Sequence, residues 1–198
     1  MYNVKFKDLI KPNAKPNKAW IYMDTNPVIR AVAKPIDSYE FSNEDIYYLK
    51  RMVNYIEASF FNKAKKFKIR AGVAIAAPQV GWSKRATYIH FENDDKVYQY
   101  LLINPEIVYK SEQIAYIICG EGCLSVESDK AGNVPRHSVV RVKAYDLIRE
   151  KEIEEEFSGF AAMCLQHELD HLDGKVYYDH INKDDPQYSD KAWIKIGR

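Results

Sequence analysis

The sequence predicts an α+β fold in which mostly antiparallel strands pack around a central helix, with a second helix nearer the N-terminus. Two segments carry apolar residues at helical spacing, and a run of short β-rich segments lies between them. Strand and helix do not alternate as they do in βαβ units. With 198 residues, 46% of them hydrophobic, the chain can bury one substantial core. A single domain over 1–198 is expected, with an extended arm over 1–23 and a surface tail over 183–198.

Lys11 to Lys18 contains Pro12 and Pro16, the mark of extended chain. Ser42 opens the N-terminal helix: Asp45 completes a capping box and Glu44 adds negative charge to the first turn. Ile46, Leu49, Val53, Ile56 and Phe60 recur at helical spacing, and Lys63, Lys65 and Lys66 suit the C-terminal end. Arg85–Phe91, Val97–Ile103, Ile107–Lys110 and Gln113–Ile118 are rich in Val, Ile, Tyr and Phe and are predicted strands. Ser138–Tyr145 alternates Val140, Val142 and Ala144 with Arg141 and Lys143, and Glu152–Phe157 is its expected hairpin partner. Ser158 caps the central helix, which runs to about His171 and stops at Gly174. Val176–Ile181 is expected as a short strand.

Bulk properties exclude several classes. Lys+Arg and Asp+Glu number 29 and 28, interleaved, for a net charge of +1. A protein that lives on a phosphate backbone normally carries a basic excess or stripe, so nucleic acid is disfavoured as the main ligand. There is no signal-peptide core and no uncharged run of membrane-spanning length. Cys119, Cys123 and Cys164 are therefore expected in a reducing compartment, as ligand, nucleophile or small core residue.

The chemistry concentrates in Gln166-His167-Glu168-Leu169-Asp170-His171. Residues four apart lie nearly above one another on a helix, so His167 and His171 can grip one ion. Glu168 lies beside them, placed to act as general base, which is the logic of the His-Glu-x-x-His motif. Phe160, Ala161, Cys164, Leu165 and Leu172 make the helix largely apolar, where unpaired His and Glu are costly. This is the metal-binding helix around which the strands are expected to pack.

A catalytic site of this type needs a third protein ligand. The metzincin extension fails, because Tyr177 stands where its third histidine belongs. Glu121-Gly122-Cys123-Leu124-Ser125 offers a cysteine in a glycine-bearing segment. The same residues admit a closed Cys2His2 zinc site built from Cys119, Cys123, His167 and His171, which would leave Glu168 without a task. A metallopeptidase using the same helix is a further alternative. Gln79 could equally cap backbone after Pro78, and Cys119 and Cys164 could be plain packing residues.

Gly72-Val73-Ala74-Ile75-Ala76-Ala77-Pro78-Gln79, the cysteine segment and the histidine helix resemble, in order and rough spacing, the three signature motifs of peptide deformylases. The match runs from about Asp24 to Asn182, and the insertions flanking the cysteine motif are similar to those of the longer bacterial subgroup. The resemblance implies that Cys123, His167 and His171 hold one divalent ion per chain, with Glu168 as general base and later acid. It implies Gln79 and the Leu124 N–H as oxyanion donors, and Gly72, Val73 and Gly122 as backbone partners of an extended peptide. Phe160, Met163, Cys164 and Cys119 become walls of a methionine pocket, and Glu121 with Arg136 an ion pair that steadies the cysteine loop. The expected activity is release of formate from formyl-Met nascent proteins in the cytoplasm, with transient proximity to the ribosome and no membrane or direct nucleic-acid partner. Fe2+ is the implied physiological ion, with Zn2+, Ni2+ or Co2+ in purified protein. One position departs: Ala74 stands where the family usually has glycine, a cost if that backbone needs positive φ.

Overall fold

A computed structural model describes residues 2–38 and 40–197. Helices are α1 (Phe6–Leu9), α2 (Pro27–Arg30), α3 (Asn43–Phe60), α4 (Ala64–Phe67) and α5 (Gly159–Leu172), with 3-10 turns at Lys18–Trp20, Ala77–Val80 and Tyr177–His180. Strands β1 (Ala74–Ala76), β2 (Ala86–Asn93), β3 (Lys96–Lys110), β6 (Val139–Asp146) and β7 (Lys151–Ser158) form one sheet in that order, antiparallel throughout. A second sheet runs β5 (Arg136–His137), β4 (Ile114–Ile117), β8 (Ile194–Ile196), with β8 parallel to β4.

Successive strand residues point to opposite faces, and the larger sheet is apolar on both. Tyr88, Leu101 and Ile103 join Leu49, Met52, Val53 and Ile56 of α3 in one core. Ile89, Phe91 and Leu102 face the other way, onto Ala161, Leu165, Leu169 and Leu172 of α5. Ala115 and Ile117 of β4 join that second core, so α5 lies between the two sheets. This is the expected α+β arrangement, with antiparallel strands around the histidine helix. A polar cluster also ties α3 to β2. Glu57 accepts from Tyr88 Oη and from His90 Nδ1, both at 2.5 Å, and Phe60 stacks on the His90 ring at 3.6 Å.

Ser42 and Asp45 form the reciprocal capping box read from the sequence. Other expectations are corrected. The first helix stops at Phe60, because Asn62 turns left-handed at φ 57°; Lys65 and Lys66 belong to α4, itself ended by Lys68 at φ 53°. The two strands expected at Val97–Ile103 and Ile107–Lys110 are one strand, β3, with a register shift around Asn104. Asn104 adopts φ 51°, and its side chain bonds both backbone groups of Ile36 at 2.8 Å. Val176–Ile181 is not a strand but holds the 3-10 turn Tyr177–His180, closed where the Val176 N–H donates to Asp179 at 2.9 Å. The tail at 183–198 contains β8, and the arm at 1–23 is not merely extended. Tyr2, Val4 and Leu9 are buried, and Tyr2 stacks on Phe41 at 4.8 Å. Among the described residues no helix is long and apolar enough to cross a membrane.

Candidate metal centre

The floor of the site is α5. Gly159, at φ 57°, lets the chain turn from β7 into the helix, and Phe160 to Leu169 are buried along it. His167 and His171 stand one turn apart, with ring centroids 5.1 Å from each other. Cys123 comes from the loop between β4 and β5, and its Sγ lies 3.2 Å from His171 Nε2. One donor atom each from Cys123, His167 and His171 falls within a mutual 4.8 Å. Donors at about 2.0–2.3 Å from one tetrahedral ion stand roughly 3.3–3.6 Å apart. The Cys123–His171 pair is close to that spacing, and a soft thiolate with two imidazoles is a donor set that would hold a single divalent ion.

Each ligand is held from behind. Buried Arg136 donates from Nε and Nη2 to the two oxygens of Glu121, the second at 2.9 Å. The other face of Glu121 accepts from His167 Nδ1 at 2.7 Å, which directs Nε2 toward the site. Burial pushes the Glu121 carboxyl upward, but Arg136 and His167 outweigh it and hold it at about 2. Burial likewise works against the Cys123 thiolate, yet His171 and His167 bring the thiol down to about 5. The thiolate also accepts from the Ser125 N–H at 3.4 Å and from Gln79 Nε2 at 3.5 Å. Burial lowers the basicity of His167, but Cys123 and Glu121 more than compensate and raise its pKa well above the ordinary range.

Glu168 is 4% exposed, and its Oε2 has no hydrogen-bond partner among the described residues. Burial lifts its carboxyl to about 7, against the opposing pull of His167 and His171. A buried carboxyl poised near neutrality beside a ligand set is suited to moving protons.

The cleft above this floor encloses about 120 Å³. One wall is the approach to β1, including Gly72, Val73 and Ala74; the other is the cysteine loop, including Gly122 and Leu124. Phe160, Met163 and Cys164 line it from α5. Gln79 reaches it from the 3-10 turn after β1. Its Oε1 accepts from the Ala76 N–H at 2.8 Å, the capping role read as an alternative, while Nε2 donates to Ser125 Oγ at 3.2 Å. Two backbone candidates are partly committed: the Gly72 N–H donates to Ser59 Oγ at 3.2 Å, and the Val73 carbonyl accepts from the His90 N–H at 2.9 Å.

Cys119 is a correction. It is exposed, is not among the cleft-lining residues, and sits just before the turn at Gly120, where φ is 75°. Ala74 resolves in the opposite direction. It lies in β1 outside the left-handed region, so its methyl brings no backbone strain.

Several neighbours were not legible in the sequence. The ring of Tyr177 stacks on His167 at 6.0 Å and 16°. Asp170 accepts from Arg136 Nη1 at 2.9 Å and from His180 Nε2 at 2.8 Å, extending the support behind His167. Arg70 lines the cleft and bonds Asp129. The only local signal was that Asp170 lies inside the histidine motif; the others meet through the fold.

Comparison with known proteins agrees with this geometry. The family model described as polypeptide deformylase matches residues 18–187. The chain is 57% identical to a peptide deformylase of Ureaplasma parvum over 198 residues, all of both chains. It is 42% identical to one from Malacoplasma penetrans, over 91% of this chain and 97% of the other. Among solved structures, a class I type b peptide deformylase from Acinetobacter baumannii superposes with a TM-score of 0.65 at 30% identity, covering 82% of this chain and 97% of that one. On the matched motifs, the ligand cluster and these likenesses, the chain belongs to the peptide deformylase family.

Proposed function

We propose that this enzyme removes the formyl group from N-terminal formylmethionine of nascent proteins in the cytoplasm, with Cys123, His167 and His171 as the ligands of one divalent ion and Glu168 as the proton carrier. The observation that carries this reading is the convergence of those three ligands beside a buried Glu168 with a pKa of about 7.

A divalent ion in this site supplies Lewis acidity and a water that is nucleophilic near neutral pH. Glu168 takes the proton from the attacking water as it adds to the formyl carbon. It then delivers that proton to the amine as the C–N bond breaks, and formate and the free N-terminus leave; such proton transfer is worth about 10²–10⁴ in rate. The Leu124 N–H and Gln79 Nε2, the latter turning its long contact with Cys123 Sγ toward substrate, serve as donors to the oxygen that gains charge, each contributing about 3–4 kcal/mol. Phe160, Met163 and Cys164 hold the methionine side chain, and the backbone of Gly72, Val73 and Gly122 lines the path of an extended peptide. The donor set suits Fe2+, Zn2+, Ni2+ and Co2+ alike, and ferrous iron is the ion we assign in the cell.

Formate release from a formyl-Met peptide by anaerobically prepared protein tests the reading, with Glu168→Gln alongside. Turnover should fall at least about 10²-fold in the variant while bound metal, measured by elemental analysis, is retained. Wild-type protein that carries its ion yet releases no formate would refute the proposal.

A further inference from the structure

The chemistry at the floor leaves the outer end of the cleft unassigned. There the two walls interlock. The Leu124 side chain comes within 3.0 Å of where a Cβ on Gly72 would stand, and the Arg70 guanidinium within 2.8 Å of a Cβ on Gly122. Each glycine thus makes room for a side chain from the opposite wall. Arg70 also bonds across: Nη1 donates to the Val126 carbonyl at 2.9 Å, and Nη2 to both oxygens of Asp129 at 2.7 and 2.8 Å. Behind it, Tyr55 Oη donates to the Arg70 carbonyl at 3.1 Å, and Gly72 is tied to Ser59. Helix α3 therefore holds one wall, and through Arg70 that wall holds the loop carrying Cys123.

Folding stability is a poor reason for this side chain. The pair is 38% and 53% exposed, and ion pairs that wet contribute little. Its position is the informative feature. Arg70 is the cleft-lining cation that runs from the approach to β1 to the cysteine loop, with its guanidinium against Gly122. An extended peptide advances about 3.3 Å per residue, so the residues that follow methionine must pass between these walls.

We propose that Arg70 is a positioning and specificity-determining residue, fixing the separation of the two backbone walls and thereby how tightly the peptide beyond methionine is held. The inference rests on the deformylase reading. Lysine would not replace arginine fully, since one ammonium cannot stand both where Nη2 meets Asp129 and where Nη1 meets the Val126 carbonyl.

Steady-state kinetics on formyl-Met amide and on formyl-Met di- and tripeptides test it, using wild type, Arg70→Ala, Arg70→Lys, Asp129→Ala and the double variant Arg70→Ala/Asp129→Ala. In Arg70→Ala, KM for the tripeptide should rise about tenfold with kcat within about twofold, and the rise should shrink as the peptide shortens. The dissociation constant of the unformylated tripeptide, measured by calorimetry, should rise in parallel. Arg70→Lys should fall between, and the double variant should be no worse than Arg70→Ala, because the two residues act as a unit. A KM change independent of peptide length, a loss confined to kcat, or additive losses in the double variant would overturn the proposal. If Arg70→Ala does not fold, Arg70→Lys and Asp129→Ala give the same length profile. A wild type that releases no formate fails the deformylase reading itself; an active wild type with a flat profile across the variants fails this inference alone.

Discussion

Glu121 is the residue with the most to hold. It joins a buried cation to the imidazole of His167, a proposed metal ligand, and each of its oxygens faces a partner. Breaking a buried pair costs up to about 3–5 kcal/mol, and loss of Glu121 would leave Arg136 with Asp170 as its remaining counter-charge. Glu121→Ala should therefore lower stability by up to that amount in urea unfolding, and its metal affinity should drop about 10–100-fold through loss of the bond to His167. Unchanged affinity would mean that His167 is oriented by Tyr177 and packing alone. Ala74 permits a test of opposite sign to the sequence expectation. Ala74→Gly should destabilise by about 0.5–1 kcal/mol in urea unfolding, because the strand conformation there does not need glycine.

At the scale of elements, what the sequence revealed was local. The capping box at Ser42, the periodic apolar face of α3, and the hairpin of β6 and β7 depend on residues close in sequence, and they fold as read. The one-turn spacing of His167 and His171 on α5 was legible for the same reason. What escaped depends on distant partners. The pairing of β8 with β4, the clasp of Arg70 on Asp129, and the stacking of Tyr177 on His167 leave no period or spacing to find. The end of α3 escaped because Asn62 enters the left-handed region without a glycine to announce it. The end of α5 was announced by Gly174, at φ 72°, and a Cβ there would meet the Arg30 carbonyl oxygen at 2.6 Å. Gly174→Ala combines that clash with a strained φ and should cost more than about 1 kcal/mol, lowering the thermal midpoint by roughly 2–4 °C or more. A scanning calorimetry trace superimposable on wild type would contradict the clash.

For the whole molecule, the buried acids set opposing responses to pH. Glu121 and Asp170 are held at about 2 against ordinary values of 4.5 and 3.8, burial being outweighed by Arg136 and His167 for the first and by His180 and Arg136 for the second. Their folded-state pKa is depressed, so their stabilisation is complete above the ordinary values and is lost as pH falls toward about 2. Glu168 works in reverse: burial raises it from 4.5 to about 7, so in metal-free protein it costs stability as pH climbs through that interval. Urea midpoints of the metal-free protein should therefore fall as pH drops below about 4.5, whereas above about 5 the Cys123 thiol, depressed from 9.0 to about 5, offsets the loss from Glu168. In Glu168→Gln that offset is unopposed, so the midpoint should rise between about pH 5 and 7 relative to wild type while the acid limb remains.

The parallel pairing of β8 with β4 also bears on how the molecule comes into being. Ala115 meets Ile194, and Ile117 meets Ile196, across a long intervening stretch that includes both α5 and the cysteine loop. A chain made from its N-terminus has therefore synthesised Cys123, His167 and His171 before it possesses the strand that closes the edge beside them. Such distant closure is slow relative to helix formation. During that interval β4 offers an open strand edge, the kind that pairs with neighbouring chains. The residues of β8, made after those ligands, are in this sense a safeguard on assembly: they cover an edge that would otherwise invite aggregation while the loop behind it settles.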